Sequence, residues 1–449
     1  MATVRWTGNA QAIKQVQTIT VSGTWALGDT ATLTINEKDL TVTVGSDTST
    51  SDIAEILGRA VNGTDDTPGL KNNESRNFNG QEIPEFTEVV ASYSSNVLTL
   101  TSATAGVPFT VTRSENTAGS GALGAVTTVT AATGPNYLDN TDNWSTGSLP
   151  ADGDTALFDQ GSVSVLYGLT EWRTNTKKIS LTKTTDYTGS IGAPAINALG
   201  YREYRTRRLQ LYDGTGVVIV RLTKGVNTST GSGSIYLDAA SQTLSGLFVD
   251  PDAMTVSTTA NTVEVVGGSW AGIYPASGSV VLGDTVDGTV TITTSLVVGR
   301  SGGTSTDCIV QLASTTLSDC EELVQRSGTC YYRSASTYSG GGTGLWHVKG
   351  GVGYIHAATR SLYLFDGTVY GVLGVPTTSY VYGGTLSMDQ SLITGTGQKV
   401  FLHAGGSFVD PRDALADVQV YLVGCSPADV TWTPAPNKKY TLAAGATVS

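Results

Sequence analysis

The chain has 449 residues, more than one ordinary core fills, so two or more domains or one elongated repeat body are expected. Glycine is abundant at 54 residues and charged residues make up only 14%, so hydroxyls supply the polarity, as in chains of strands and tight turns. The formal net charge of −12 excludes a general nucleic-acid surface, which must be basic, and suits docking onto a basic partner.

Residues 1–133 read as a first domain. TITVSGTWALGDTATLTI is strand, turn, strand, with Gly28-Asp29 at the turn, and KDLTVTVG continues the alternation. TSTSDIAEILGRAVNG breaks it. Ile53, Ile56, Leu57, Ala60 and Val61 recur at helical spacing, Ser51 or Asp52 can cap the start, and Gly63 can end the helix. The polar stretch 63–80 predicts a loop, and FTEVVASYSSNVLTLTSATAGVPFTVT predicts three more strands with a turn at Ser95-Asn96. The opening G-T-x-x-x-G-D-T-x-T-L-T-I, the helix ending in V-N-G and the closing V-L-T-L-T-x-x-T-A-G-V-P-F-T-V resemble a small α+β module of phage tail and other virion proteins. That resemblance implies docking or scaffolding rather than catalysis.

DNWSTGSLPADGDTALF follows at Asp142 and is similar to the entry segment of many right-handed β-helix proteins. A solenoid's first coil has no predecessor, so its open edge must be covered. Residues 139–160 are read as that capping segment, with Trp144 as the end cap.

The body, 134–435, then repeats one short phrase: a glycine, Ser or Thr, and an apolar residue opening a strand. The phrase falls at Gly268, Gly288, Gly328, Gly351, Gly367, Gly384 and Gly406, with intervals of 16 to 23 residues apart from one double interval. Three short strands and three turns need about 20 residues, the short end of the repeat-fold range. Gly268, Gly328, Gly367, Gly384 and Gly406 are expected at equivalent corners. Trp270, Val290, Cys330, Val369, Leu386 and Phe408, two positions later, are expected to stack inward. SVSVLYGLT, KISLT, RRLQLYDG, VVIVRLT and SIYLDAA between 150 and 250 are strands whose period is blurred by insertions. A β-sandwich would alternate similarly, but at 8–12-residue spacing. Residues 436–449 read as a tail.

Catalytic constellations are sparse. His347, His356 and His403 each sit within a strand pattern, with no H-E-x-x-H spacing, and no G-x-S-x-G or P-loop occurs. Glycan-cutting enzymes place paired carboxylates on one face. The candidates are Asp410 and Asp413 beside Arg412, and Asp250 with Asp252, but recurrence of FVDP favours a structural turn. Asp152, Asp154 and Asp159 lack the full pattern of a calcium loop. Cys308, Cys320, Cys330 and Cys425 read as small buried residues, with a Cys308–Cys330 disulfide left open. No catalytic residue, metal site or cofactor is therefore assigned. YREYRTRRLQLY concentrates arginines in an acidic chain. Tyr201, Arg202, Tyr204, Arg205, Arg207 and Arg208 are read as a protein interface, against a charged edge that blocks aggregation.

The expected fold is mainly β: a right-handed parallel β-helix preceded by a small α+β domain. The chain resembles a bacteriophage virion structural protein, which implies a non-enzymatic capsid decoration or cement role. The alternatives are a tail fibre or spike adhesin binding host glycans, through aromatics such as Tyr331, Tyr332, Trp346 and Tyr354, and a β-helix depolymerase. The implied partners are copies of itself as a homotrimer, other virion proteins such as the major capsid protein, and a host surface glycan, with neither nucleic acid nor membrane. No signal or membrane-spanning run is visible, so the chain is expected to be assembled in the host cytoplasm and to reside in the virion.

Overall fold

The structure is a computed structural model. It describes residues 2–64, 77–78, 81–82, 84–151, 153–169, 178–194, 205, 207–211, 217–223, 233–240, 242–249, 262–276, most of 278–433, and 441–442. The chain forms two compact units: 8–143 with 202–205, and 1–7 with 144–201 and 206–449. This division differs from the boundary read at 133–134. The stretch 134–143 belongs with the α+β unit. The first strand, Thr3–Arg5, belongs with the unit that follows, because it pairs in parallel with Thr155–Leu157. At three residues, that strand was too short for its alternation to reveal its partner.

In unit 8–143, Val16–Ser22 is central to one sheet, flanked by Ala122–Leu123 and Thr127–Thr130 on one side and by Val97–Ser102, then Val89–Ser94, on the other. A second sheet has Lys38–Thr43, Thr30–Ile35 and Val111–Asn116. Asn36 and Glu37, both at positive φ, make the tight turn between its first two strands. The helix α1, Thr50–Asn62, buries Ile53, Ala54, Ile56, Leu57, Ala60 and Val61 against this β core. Its N-cap is Ser49, two residues before Ser51 and three before Asp52, the caps expected: the Ser49 hydroxyl accepts from the Asp52 amide, and the Asp52 carboxylate accepts from the Ser49 amide. Gly63 closes it at φ 67°. A short second helix, Pro84–Thr87, was not foreseen.

The second unit is mainly β. Among the described residues its large sheet has 26 strands, and every strand pair within it is parallel. The strands fall into three interleaved ladders. The first runs from Thr3–Arg5 through Thr155–Phe158, Lys178–Thr184, Val217–Thr223 and Gly246–Val249 to Pro376–Val381, Lys399–Leu402 and Gln419–Leu422. The second includes Ile235–Asp238, Thr262–Val266, Gly278–Leu282, Cys308–Leu312 and Thr329–Tyr332, and continues to Ser407–Val409. The third links Thr243–Leu244 to Thr315–Ser318 and Thr337–Ser339. From Leu345 on, single long strands serve the first two ladders in turn: Leu345–Ile355 and Thr359–Gly371 each pair along both halves.

In-register pairing within each ladder, with shifts only where a long strand passes from one ladder to another, turns alternation into columns. Val263, Val280, Val310, Cys330, Gly353, Val369, Leu386 and Phe408 are successive register partners, and all are buried. Cys330, Val369, Leu386 and Phe408 thus share the column expected of them. Trp270 stacks instead on Ile292 in the third ladder, and Val290 is out of register with it. Gly353 is where the column narrows, because the Trp346 indole from the first ladder fills the space: a Cβ there would lie 3.0 Å from its ring. Each large residue of the columns is worth ~1.5–3 kcal/mol of burial.

The glycines mark corners. Gly328, Gly351, Gly367 and Gly384 lie at the passage from first to second ladder, at φ between 72° and 87°. A Cβ on Gly351, Gly367 or Gly384 would strike the carbonyl of the corner glycine beneath at 2.2–2.4 Å. Gly406 lies at the same passage, but its neighbour Gly405 takes the positive φ. Gly268 sits elsewhere, between Thr262–Val266 of the second ladder and the third-ladder residues Ser269 and Trp270, and Gly288 approaches Gly267 there. The expected equivalence of Gly268 with the other four therefore does not hold. The phrase recurs at two corners because both need the same backbone conformation.

Candidate functional site

The arginine strip is engaged inside the chain. Arg205 pairs with Glu88 at 3.1 Å and donates to the Pro108 carbonyl, all within unit 8–143. Arg208 is buried, bonded to Glu264 at 2.5 Å, and lies over the Tyr236 ring. Arg207 lies 5.9 Å from the centre of the Tyr167 ring. The carboxylates that clustered arginines require come from Glu88 and Glu264. No residue pattern near position 205 could have named them, at separations of 117 and 56 residues. Tyr201, Arg202 and Tyr204 lie outside the described residues.

The acidic candidates are likewise engaged. Asp410 is fully buried, and its two carboxylate oxygens accept from the Ala414 and Leu415 amides at 2.8 and 3.1 Å. This is a turn-forming carboxylate, as FVDP suggests. Asp413, Asp250 and Asp252 lie outside the described residues. Asp154 accepts from the Ala2 and Ala151 amides, which holds its carboxyl below the usual range. Asp159 pairs with Arg5 at 2.9 Å. Among the described residues no group of three His, Cys, Asp or Glu could hold a metal, and no helix is long and apolar enough to cross a membrane. Cys308 and Cys330 are buried and no disulfide joins them, which answers the pairing left open by the sequence; loss of solvent raises the pKa of the Cys330 thiol strongly.

Trp144 packs edge-on against Trp6 at 5.2 Å and against Phe158 at 5.8 Å, where Thr3–Arg5 forms the terminal strand of the parallel sheet. Phe158 continues to Tyr187. Sequence reasoning missed Trp6; the signal was the alternation of Val4 and Trp6, both buried. Inside this cluster Lys183 is 1% exposed and donates to the Tyr187 carbonyl at 2.9 Å. Desolvation lowers its pKa to about 8.

Among the described residues, the ladder surface carries stacks of aromatic side chains. His347, Tyr363, Tyr380, Phe401 and Tyr421 are register partners on the outward face of the first ladder, with ring centres 4.6–5.1 Å apart. Beside them Phe365, Tyr382 and His403 stack at 5.0 and 4.2 Å, and Phe365 and Tyr382 are exposed. A third stack, Tyr331, Tyr354 and Tyr370, lies on the second ladder. Loss of solvent lowers the pKa of His403; the same cause lowers that of His356, with Arg333 adding to it. Most of these rings lie face to face at strand spacing, so they cover each other's faces and turn edges and hydroxyls outward. Tyr331 and Tyr354 are outward as anticipated. Tyr332 and Trp346 are not: both are 1% exposed, at inward positions of the second and first ladders. One residue of displacement along a strand decides this.

Comparison of the chain with protein-family models, with curated proteins and with solved structures finds no match.

Proposed function

We propose that this chain is a non-enzymatic structural protein of a bacteriophage virion, a capsid decoration protein whose ladder unit, 144–201 and 206–449 with 1–7, is a right-handed β-helix. The carrying observation is the continuous in-register parallel ladder from Thr155 to Leu442, with its closed apolar columns. Parallel strands that pair at each pass with the equivalent strand of the previous pass are what a coiled chain produces, and right-handed crossovers are the rule for parallel strands. Such a body is stiff, and its usefulness lies in shape. The α+β unit, with its own core, serves as the docking module onto the shell, and copies of the chain associate as trimers.

A tail fibre or spike adhesin is the second reading, favoured by the exposed Phe365 and Tyr382. Sugars stack on ring faces, and the paired rings offer mainly edges, which weighs towards the decoration role. Immunogold labelling of phage particles with an antibody against residues 8–143 tests the proposal. Label spread over the capsid is expected. Label confined to the tail tip would select the adhesin, and unlabelled particles would overturn a virion role.

A further inference from the structure

We infer that the groove between Trp144–Ser145 and Thr155–Phe158 is a strand-accepting peptide site, and that residues 2–6 of the chain are its resident ligand. These residues are held from both sides. Along one edge the Thr155 amide donates to the Ala2 carbonyl and the Trp6 amide to the Leu157 carbonyl, both at 2.9 Å, in parallel register. Along the other, the Ser145 amide donates to the Arg5 carbonyl, and the Arg5 amide to the Ser145 hydroxyl. Asp154 accepts the Ala2 amide at 2.6 Å.

Side chains add selectivity to this backbone pairing. Val4 faces inward opposite Ala156 and is 3% exposed. Trp6 is 2% exposed between Trp144 and Phe158, and its indole nitrogen donates to the Val163 carbonyl. Arg5 points the other way, to Asp159. An extended peptide of pattern apolar–basic–aromatic therefore satisfies the groove: main-chain bonds supply affinity and alternate pockets supply specificity. The resident strand is joined to its groove through the whole of unit 8–143, which has its own hydrophobic core. No short hairpin ties the strand to Thr155–Phe158, so the pairing is that of a ligand with a site, and an equivalent peptide in trans can replace it.

The test uses the full chain and a fluorescent peptide of residues 2–8, ATVRWTG. Val4→Ala/Trp6→Ala removes the resident strand's anchors while leaving the groove. By anisotropy this variant should bind the peptide at least tenfold more tightly than wild type, and a peptide with Trp replaced by Ala should not bind. A folded variant that ignores the peptide, or equal binding by both chains, overturns the inference. Should the variant lose its β-sheet circular dichroism, Val4→Cys/Ala156→Cys decides. Oxidised, the resident strand is locked and the chain should refuse the peptide. Reduced and warmed, it should take it up. Equal uptake in both states, or none in either, overturns the site.

Discussion

At the residue scale the structure gives two arginines of the strip, Arg205 and Arg208, carboxylate partners within the chain. Arg208 sits beside Glu264 with little exposure, so reversing its charge leaves two carboxylates facing each other away from water. Breaking a buried pair costs ~3–5 kcal/mol. Arg208→Glu is expected to lower the melting temperature of the isolated chain, and an unchanged melting curve would return Arg208 to the class of interface residues. Lys183 gives a prediction with the opposite sign. Its pKa falls from 10.5 unfolded to about 8 folded. Between those values the unfolded chain holds a proton that the folded chain has lost, so this group makes stability rise with pH from 8 to 10.5. Below pH 8 the buried charge costs on the order of 3 kcal/mol. Lys183→Met should therefore raise the melting temperature at pH 7 and lose most of that advantage near pH 10.5. Comparing the two chains at each pH isolates lysine from the tyrosines, whose raised values act above pH 10.

At the scale of elements, the corner glycines carry the sharpest prediction. Gly367 and Gly384 combine positive φ with a carbonyl 2.4 Å from where a Cβ would stand, and backbone cannot move aside as a side-chain tip can. Gly367→Ala and Gly384→Ala should each destabilise the ladder unit, by more than the ~1 kcal/mol of an open left-handed site. Gly397→Ala, with positive φ but open space, serves as the control for urea denaturation. These corners were legible because only glycine fits them, and helix α1 was legible because its apolar spacing and Gly63 agree. What the sequence hid was pairing at a distance. Thr3–Arg5 finds Thr155–Leu157 across a whole unit, and Arg208 finds Glu264, and neither leaves a local trace. Inward and outward faces were also lost where a strand's phase was unanchored: Tyr331 and Tyr332 are adjacent, yet one lies in the outer stack and the other in the core. Gly268 misled for the converse reason, since two corners with one backbone requirement write the same phrase.

On the scale of the whole molecule, two cores imply two cooperative transitions. Unit 8–143 closes around Leu33, Ile35, Ile56, Leu57 and Leu98, and the ladder unit around columns such as Val369, Leu386 and Phe408. A stack of coils gains stability from each neighbour it covers, so a cavity in one column weakens that stack and leaves a separately closed core untouched. Truncating a fully buried leucine or phenylalanine costs ~2–5 kcal/mol, enough to move a calorimetric peak by several degrees. Scanning calorimetry of the full chain should show two peaks. Leu57→Ala should lower only the peak of unit 8–143, and Phe408→Ala only that of the ladder unit. The peaks can be assigned independently by tryptophan fluorescence of a Trp25→Phe variant, because every other tryptophan falls within 1–7, 144–201 or 206–449. If both substitutions shift one common peak, the two units unfold as a single cooperative body and the division into separate cores is wrong.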